Sequence, residues 1–478
     1  MKHITLLLFI AFSLISCELQ DTYLNVSAES FTFEQEGGSQ NLVYSTNART
    51  HSVFSDADWI EFASMARVGD TLMVQVKALA NPGTEVRNAT ITVLAGNEEP
   101  VLIPVTQLGG MYPSYNTSPI PPDASGMSST AVQLAAKIDL GWNMGNSLEA
   151  IGGETAWGNP KISKALIDLV KASGFNAVRL PCSWHQHMQT PATALLKPLW
   201  LDRVKEVIQY CVDNDMYVLL NIHWDGGWLE NNVTVDKQAA NNAKLKAFWE
   251  QIATHLRDFD EHLLFAGGNE PNAHDAVQMA VLDSYHQTFV DAVRSTVGRN
   301  AYRTLVVQGP STDIETTNKF MKKMPADAVA DRLMVEVHYY TPWNFCGLTE
   351  DASWGKMFYY WGKDYRSTTD TERNASWGEE ATVKTNFALM KTQFVDKGIP
   401  VVLGEYSATR RVNLTGDALD LHLASRAYYS GYVTRQAKAY GLLPFYWDNG
   451  GLADGCGIFD RHALSVFDQA VLEELKKQ

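Results

Sequence analysis

Two periodicities divide the chain. Up to about Gly110, polar and apolar positions alternate: Leu72, Val74 and Val76 face one way and Met73, Gln75 and Lys77 the other, while Ala89, Ile91 and Val93 alternate with Thr90 and Thr92. A period of two is what a strand with one buried face requires. Asn81-Pro82-Gly83 supplies a turn between these runs, and Phe31, Phe33 and Trp59 are core candidates. The pattern predicts a small all-β, immunoglobulin-like sandwich over residues 17–108. Over 109–129 the period is lost. Pro113, Pro119, Pro121 and Pro122 stiffen this stretch while Gly and Ser loosen it, so a linker and a domain boundary are expected there.

Over residues 130–478, short apolar runs alternate with helical stripes. The candidate strands are Ile138–Gly141, Asn176–Leu180, Tyr217–Ile222, Leu263–Ala266, Thr304–Gln308, Leu333–Val337, Val401–Leu403 and Leu442–Tyr446, eight in all. Runs such as YVLLNI do not alternate, as expected of parallel strands covered on both faces. Asn159-Pro160 reads as a helix start, with Ile162, Leu166, Leu169 and Val170 as its buried stripe. Cys211 falls on the next stripe and is read as a core thiol. The prediction is an α/β fold, a (β/α)8 barrel behind the sandwich.

Composition narrows the partners. Lys plus Arg total 39 against 54 Asp plus Glu, a formal charge of -15, which argues against phosphate backbones as ligands and so against nucleic acid. With 13 Trp and 19 Tyr the chain is rich in flat rings of the kind that stack on sugars, although core packing must account for most of them. The five cysteines show no CxxC spacing, so no metal site is expected. Cys17 stands apart, at the end of the apolar run Ile4 to Ile15 that follows Lys2. That run reads as an export signal over residues 1–16, too short for a comfortable membrane span. Leu14-Ile15-Ser16-Cys17 resembles the lipobox of bacterial lipoproteins, which implies acylation of Cys17 and a lipid anchor on the outer membrane or surface of a Gram-negative cell. The alternative is an ordinary secretory signal with a chance cysteine.

In a barrel of this kind the residues after each strand converge on one face, so strand tips can be read as site candidates. They are Asn143 and Asn146, Arg179, His223, Asn269 and Glu270, His338 and Tyr340, Glu405, and Trp447. Singly, each has a structural explanation: an ion pair, a loop histidine, a ring capping the barrel. Together, at successive strand ends, they point to one site. Glu270, after the run LLFAGGN, and Glu405, after PVVLG, place two carboxylates at the ends of two parallel strands, the equipment of glycosidic bond cleavage.

Gly141-Trp-Asn-Met-Gly-Asn-Ser-Leu-Glu149, Glu154-Thr-Ala-Trp-Gly-Asn-Pro160, Val178-Arg-Leu-Pro181, Asn221-Ile-His223, Asn269-Glu-Pro271, His338-Tyr-Tyr340, Gly404-Glu405 and Trp447-Asp-Asn449 resemble glycoside hydrolase family 5. The first two stretches look most like its subfamily of endo-β-1,4-glucanases, which includes xyloglucanases and lichenases. The resemblance implies a retaining hydrolase with Glu270 as acid/base and Glu405 as nucleophile. It also implies that Asn143, Arg179, His223, Asn269, His338, Tyr340 and Trp447 hold substrate or the carboxylates, that no metal or cofactor is used, and that β-glucan or xyloglucan is the substrate; a monomer is expected. Two departures, His223-Trp224-Asp225 for His-His-Asp and Phe265-Ala-Gly-Gly-Asn269 ahead of Glu270, bear on sugar subsites. Upstream, Asp58-Trp59-Ile60, Asn81-Pro82, Arg87-Asn-Ala-Thr-Ile91 and Val105-Thr-Gln-Leu-Gly109 resemble the BACON module, which implies glycan binding or simply a spacer; the spacer is the reading taken here. Trp157, Trp184, Trp228, Trp343, Trp354 and Trp361 are candidates to line an open cleft, and the stretch from Thr341 to Thr382 is the expected determinant of preference. The rival readings are a dedicated xyloglucanase, a mannanase, and a surface glycan-binding protein whose cleft has lost catalysis.

Overall fold

The period-two runs pair into two four-stranded sheets in the computed structural model, which describes residues 21–477. One sheet orders its strands as Leu24–Val26, Gly38–Thr46, Thr71–Ala78 and Ile60–Val68; the other as Phe31–Phe33, Val101–Gln107, Arg87–Ala95 and His51–Ser55. Alternation puts Leu42, Val74, Val76, Ile91, Val93 and Ile103 into a common core with Phe31, Phe33 and Trp59. Trp59 is buried, with the Arg87 guanidinium 4.3 Å over its ring, so it offers no open platform to a sugar. The export signal and Cys17 lie outside the described residues. Among the described residues no helix is long and apolar enough to cross a membrane.

The chain divides into one unit ending at Gly110 and a second beginning at Met111. The stretch 109–129, expected to be a linker, is instead bound along the second unit from Met111 onward. The Glu250 carboxylate accepts the Tyr115 N–H at 2.6 Å and the Ser114 hydroxyl at 3.1 Å, Asn116 Nδ2 donates to the Ser295 carbonyl at 2.7 Å, and the Ser129 N–H reaches Glu261 at 2.9 Å. Composition described the stiffness of this segment but not its partners, which sit on two distant helices and in the turn before the fourth strand.

The second unit is a closed barrel of eight parallel strands. Its strands, first to eighth, are Gly141–Met144, Ala177–Leu180, Tyr217–Asn221, Leu263–Ala266, Leu305–Gln308, Leu333–His338, Val401–Tyr406 and Leu442–Asp448. Two expectations need correction. The first strand starts at Gly141 and does not occupy Ile138–Gly141, because the Asn176 side chain takes up the N–H groups of Asp139 and Leu140 before the ladder begins. The helix after that strand runs Lys164–Ala172 from an N-cap at Ser163, not from Pro160. Glu154 accepts the Ile162 N–H and Asn159 Nδ2 bonds the carbonyls of Asn146 and Asn449, so Asn159-Pro160 belongs to a braced loop. Leu166, Ile167 and Val170 form the buried stripe and Cys211 is in the core.

The seventh strand carries the feature that matters for the site. Val337 pairs with Leu403 but His338 pairs with Glu405, so Gly404 is an extra residue on that strand. A bulge of this kind turns the following side chain and is favoured beside active sites. Only glycine fits there, since a Cβ at position 404 would lie 2.0 Å from Glu336 Oε1.

Candidate active site

Arg179, in the second strand, is fully buried and joins four groups from four other strands or their tips. Its Nη1 donates to Glu405 Oε1 at 2.7 Å and to Asn143 Oδ1 at 3.0 Å, its Nη2 donates to Asn269 Oδ1 at 2.6 Å, and its Nε lies 2.7 Å from Glu336 Oε1. A planar fork of donors suits this better than a lysine would. Asn143 in turn donates to the Gly404 carbonyl at 2.8 Å, which fixes the bulge. Tyr340 donates its hydroxyl to Glu405 Oε2 at 2.9 Å.

His338 stands between the carboxylates. Its Nδ1 is 2.7 Å from Glu270 Oε1 and 3.7 Å from Glu405 Oε2, and its Nε2 is 3.3 Å from Glu336 Oε1. Burial alone would strip its proton, but the charge of Glu405 and the bonds to Glu270 and Glu336 reverse this and push it up to about 10. His338 is therefore a cation at neutral pH. The cluster then holds three carboxylates, Glu270, Glu336 and Glu405, against two cations, Arg179 and His338. One proton is enough to balance it, and it has two acids facing the cleft on which to reside.

Those two acids differ in setting. Glu405 is 5 % exposed, while the Glu270 side chain is 42 % exposed and opens to the cleft. Burial pushes Glu405 above the ordinary carboxylate range, and the pull of His338 and Arg179 does not cancel it. The seat of Glu270 raises its proton affinity too, but there the hydrogen bond and charge of His338 outweigh burial and hold it below that range. The two titrate as a pair. Glu270, His338 and Glu405 each bring one ligand atom within 4.8 Å of the others, the reach of one cation. A protonated imidazole has no lone pair to give, however, and the Arg179 charge already faces the pair.

The rest of the predicted set lines the same place. His223 is buried and stacks on Trp447, ring centroids 5.7 Å apart and planes 9° from parallel. Asn221 Oδ1 accepts the Cys182 N–H, so its Nδ2 is the group that meets His223 Nδ1 at 3.2 Å. Burial and the charges of Arg179 and His338 hold His223 neutral, which leaves its proton on Nε2. Gly145 must be glycine for Trp447 to lie flat, because a Cβ there would come 2.8 Å from the indole. Asn146 lies just outside the cluster; its N–H and that of Ser147 are tied to the buried Glu149.

The loop tryptophans split. Trp184 and Trp361 are wholly buried and Trp228 nearly so, so these three pack the loops and do not line a cleft. Trp157, Trp343 and Trp354 are exposed, as are Trp224 and Trp377. Trp343 meets Tyr340 edge to face at 6.1 Å, which ties one exposed indole to the group that holds Glu405. Three polar residues escaped the reading of strand tips. Glu336 lies two residues before His338 in the sixth strand, so it points the same way into the barrel. Gln308 donates to Glu336 Oε2 at 2.7 Å and accepts the Gly268 N–H at 2.8 Å. Glu230, from the loop after the third strand, accepts the Glu270 N–H at 3.0 Å. A lone acid within LMVEVH was the one available signal for Glu336.

Comparison with known proteins agrees with this geometry. The model of the family described as "Cellulase (glycosyl hydrolase family 5)" matches residues 143–452, and that of the BACON family, "Putative binding domain, N-terminal", matches 48–108. A xyloglucan-specific endo-β-1,4-glucanase of Bacteroides ovatus is 35% identical over 475 residues, 94% of this chain and 91% of its own length. Endoglucanase A of Paenibacillus barcinonensis is 33% identical over 73% of this chain and 90% of its own. Among solved structures, a Bacteroides ovatus family 5 xyloglucanase in complex with a XXXG heptasaccharide aligns with a TM-score of 0.71 at 32% identity, covering 95% of this chain and 99% of that one. A family 5 xyloglucan-specific β-1,4-glucanase from a ruminal metagenomic library aligns at 0.68 with 38% identity, over 73% and 95%. The match spans well over half the chain and includes the strands that carry both carboxylates, so this chain belongs to glycoside hydrolase family 5, with a BACON module ahead of its barrel.

Proposed function

We propose that the protein is a retaining, endo-acting β-1,4-glucanase in which Glu405 is the nucleophile and Glu270 the acid/base. The observation that carries this is the separation of the two carboxylates: an oxygen of each lies within 4.8 Å of the other, with His338 between them. Oxygens that near fit carboxyl groups set roughly 5 to 5.5 Å apart, as in retaining enzymes, and leave no room for the water that inverting enzymes seat between carboxyl groups roughly 6.5 to 9.5 Å apart.

The chemistry follows in two displacements. Glu270 gives its proton to the leaving glycosidic oxygen while Glu405 attacks the anomeric carbon; water then takes the sugar from Glu405 as Glu270 recovers the proton. Glu405 is prepared for attack by Arg179 and Tyr340, which hold both of its oxygens. In the open cleft His338 favours the ionised form of Glu270. A glycan covers the exposed acid and strips its water, which raises its proton affinity, whereas Glu405 is already dry and changes little. Substrate thereby moves the one shared proton to where it is needed. Arg179 occupies Asn269 Oδ1, so Asn269 Nδ2 is the end left to bond the sugar 2-hydroxyl, and Trp447 with His223 provides the floor. Exposed Trp157, Trp224, Trp343, Trp354 and Trp377 suit a chain that extends beyond the cleaved bond and is cut internally.

A narrower reading, xyloglucan as the preferred glucan, is favoured by the Bacteroides ovatus relative, whose likeness extends through both modules. Export and acylation at Cys17 belong to the same proposal, and Cys17→Ser is expected to release the protein from membranes. The test of activity is reducing-end release from carboxymethylcellulose, barley β-glucan, xyloglucan, xylan and galactomannan by wild type and Glu405→Gln, with the anomer first formed read by NMR. Loss of all release in the variant and initial formation of the β-anomer support the proposal. Intact substrates throughout leave a glycan-binding protein, an initial α-anomer overturns retention, and barley β-glucan cut as fast as xyloglucan removes the narrower reading.

A further inference from the structure

Behind the acid/base candidate sits a carboxylate that the two displacements do not use. Glu230 is 7 % exposed and lies in a short helical turn, Glu230–Asn232, in the loop after the third strand. Two bonds tie that turn to the tip of the fourth strand. The Glu230 carboxylate accepts the backbone N–H of Glu270 at 3.0 Å, and the Glu230 carbonyl accepts the N–H of Asn272 at 2.9 Å. The residue that must hold a proton over the glycosidic oxygen is thus fixed to its neighbouring loop by one acid.

The charges around that acid are of one sign. Those acting most strongly on Glu230 belong to Glu270 and Glu405, with the Asn269 amide as a neutral donor. On its far side it borders a small cavity of about 20 Å³, shared with Asn269, Tyr285, His286 and Gln308. His286 is the one group there that could carry a positive charge, and burial pushes it down to about 3, so it stays neutral. Facing Glu270 itself are His338, Arg179, Glu336 and Glu405. Of the two cations, Arg179 bonds Glu405, and His338 stands between the acids, 2.7 Å from Glu270 and 3.7 Å from Glu405. Glu230 approaches through the backbone of Glu270, and among the described residues none of the strongest influences on it is a cation.

We propose that Glu230 is a positioning residue for Glu270: it fixes the backbone that presents the acid, and its negative charge keeps the proton on Glu270 to higher pH than His338 and Arg179 would otherwise allow. This rests on Glu270 being the acid/base. Burial, ahead of the neighbouring carboxylate, pushes Glu230 itself up to about 7, so its charge develops as pH rises through neutrality. An ionised neighbour resists the loss of a second proton.

The test is the pH profile of kcat/KM for Glu230→Gln, which keeps an oxygen to accept the Glu270 N–H and removes the charge. With barley β-glucan, whose leaving group needs a proton, the alkaline limb is expected to fall by about one pH unit, roughly a tenfold loss at a fixed pH beyond it. With a 2,4-dinitrophenyl β-cellooligosaccharide, whose leaving group departs unprotonated, the limb is expected to be absent in wild type and variant alike. A role confined to structure would lower kcat on both substrates without moving a limb. Stability gives a second readout. A carboxylate whose proton affinity is raised by folding costs stability as pH rises from the unfolded value to the folded one, so Glu230→Gln should match wild type in Tm at pH 4 and exceed it at pH 8. Coincident limbs on β-glucan, or a Tm difference independent of pH, would overturn the proposal. Glu270→Ala separates the two levels: if it still cuts β-glucan, the acid/base assignment fails first, whereas if it cuts the activated glycoside only and Glu230→Gln leaves the limb in place, this inference alone fails.

Discussion

The sandwich and the mouth of the barrel bury polar groups in opposite ways. In the sandwich they are neutral and close the backbone: Gln107 Nε2 donates to the carbonyls of Glu34 and Leu79, Asn81 Nδ2 to that of Glu85, and the Thr46 hydroxyl to that of Tyr23. In the barrel they are charged and bond one another: Arg179, Glu336, His338 and Glu405 form one connected set, all nearly out of reach of water. A neutral amide costs little once bonded, but each buried ion carries a desolvation penalty of several kcal/mol that only its partners offset. The sandwich is thus built to be stable, and the mouth to hold charge in place. Substitutions in the two regions should differ accordingly.

The largest effect is expected at Glu405. Glu405→Gln keeps one oxygen for the Arg179 donor, and its Nε2 faces the Tyr340 hydroxyl, which can turn to accept, but it cannot form a glycosyl ester, so kcat on β-glucan should fall on the order of 10⁴-fold or more with the fold retained. Retained activity within tenfold of wild type would remove Glu405 from the mechanism. Next comes Glu336, which touches no substrate. Glu336→Gln leaves Arg179 and His338 short of a counter-charge, so unfolding free energy should drop by about 3 kcal/mol in a urea titration. Activity should fall with it, on the order of a hundredfold, as Arg179 loses the partner that fixes its fork. A variant as stable as wild type would mean that the ion set is looser than its distances indicate.

The contrast also explains what could be read in advance. Both carboxylates, Arg179, His338, Tyr340 and Trp447 were legible because a parallel barrel delivers its strand tips to one face; all but Arg179 follow or end an apolar run, and Arg179 stands one residue before the end of its strand. Glu336 was not, because it lies inside such a run, where a strand reading expects only packing. Glu230 was hidden for another reason: its partner is a backbone N–H, which every residue but proline owns, at Glu270 far along the chain. The anchoring of the stretch from Met111 was hidden likewise, since what holds Tyr115 is Glu250 on a helix that local composition cannot see. In the sandwich, by contrast, each strand's buried face follows from its own alternation.

A third test turns on pH and sharpens the role of the shared cation. His338 is charged at neutral pH and sits within reach of both acids. A nearby positive charge lowers the proton affinity of a carboxylate, so removing it raises both. His338→Gln should therefore move the acid and alkaline limbs of kcat/KM in the same direction, to higher pH. Glu405 then ionises later and Glu270 keeps its proton longer. At a pH on the acid limb, activity should fall about tenfold for every pH unit by which that limb moves. Unmoved limbs would mean that His338 is neutral in the working enzyme, and a move to lower pH would contradict the charge assignment outright.

The smallest catalytic effect is expected from the largest disturbance of the sandwich. Ile91 is fully buried among Leu42, Val74 and Val93, and Ile91→Ala removes three carbons from a core with no charge to rearrange. The N-terminal unit should lose about 2 to 5 kcal/mol of stability, enough to unfold a module of that size or bring it close. Every residue assigned to the chemistry lies in the second unit, which has its own core and its own closed barrel. On a soluble glucan, kcat/KM of Ile91→Ala should consequently stay within twofold of wild type while calorimetry shows a lowered first transition. A parallel fall in activity would mean that the sandwich supports the cleft, and the division between a module that carries stability and a mouth that carries charge would have to be redrawn.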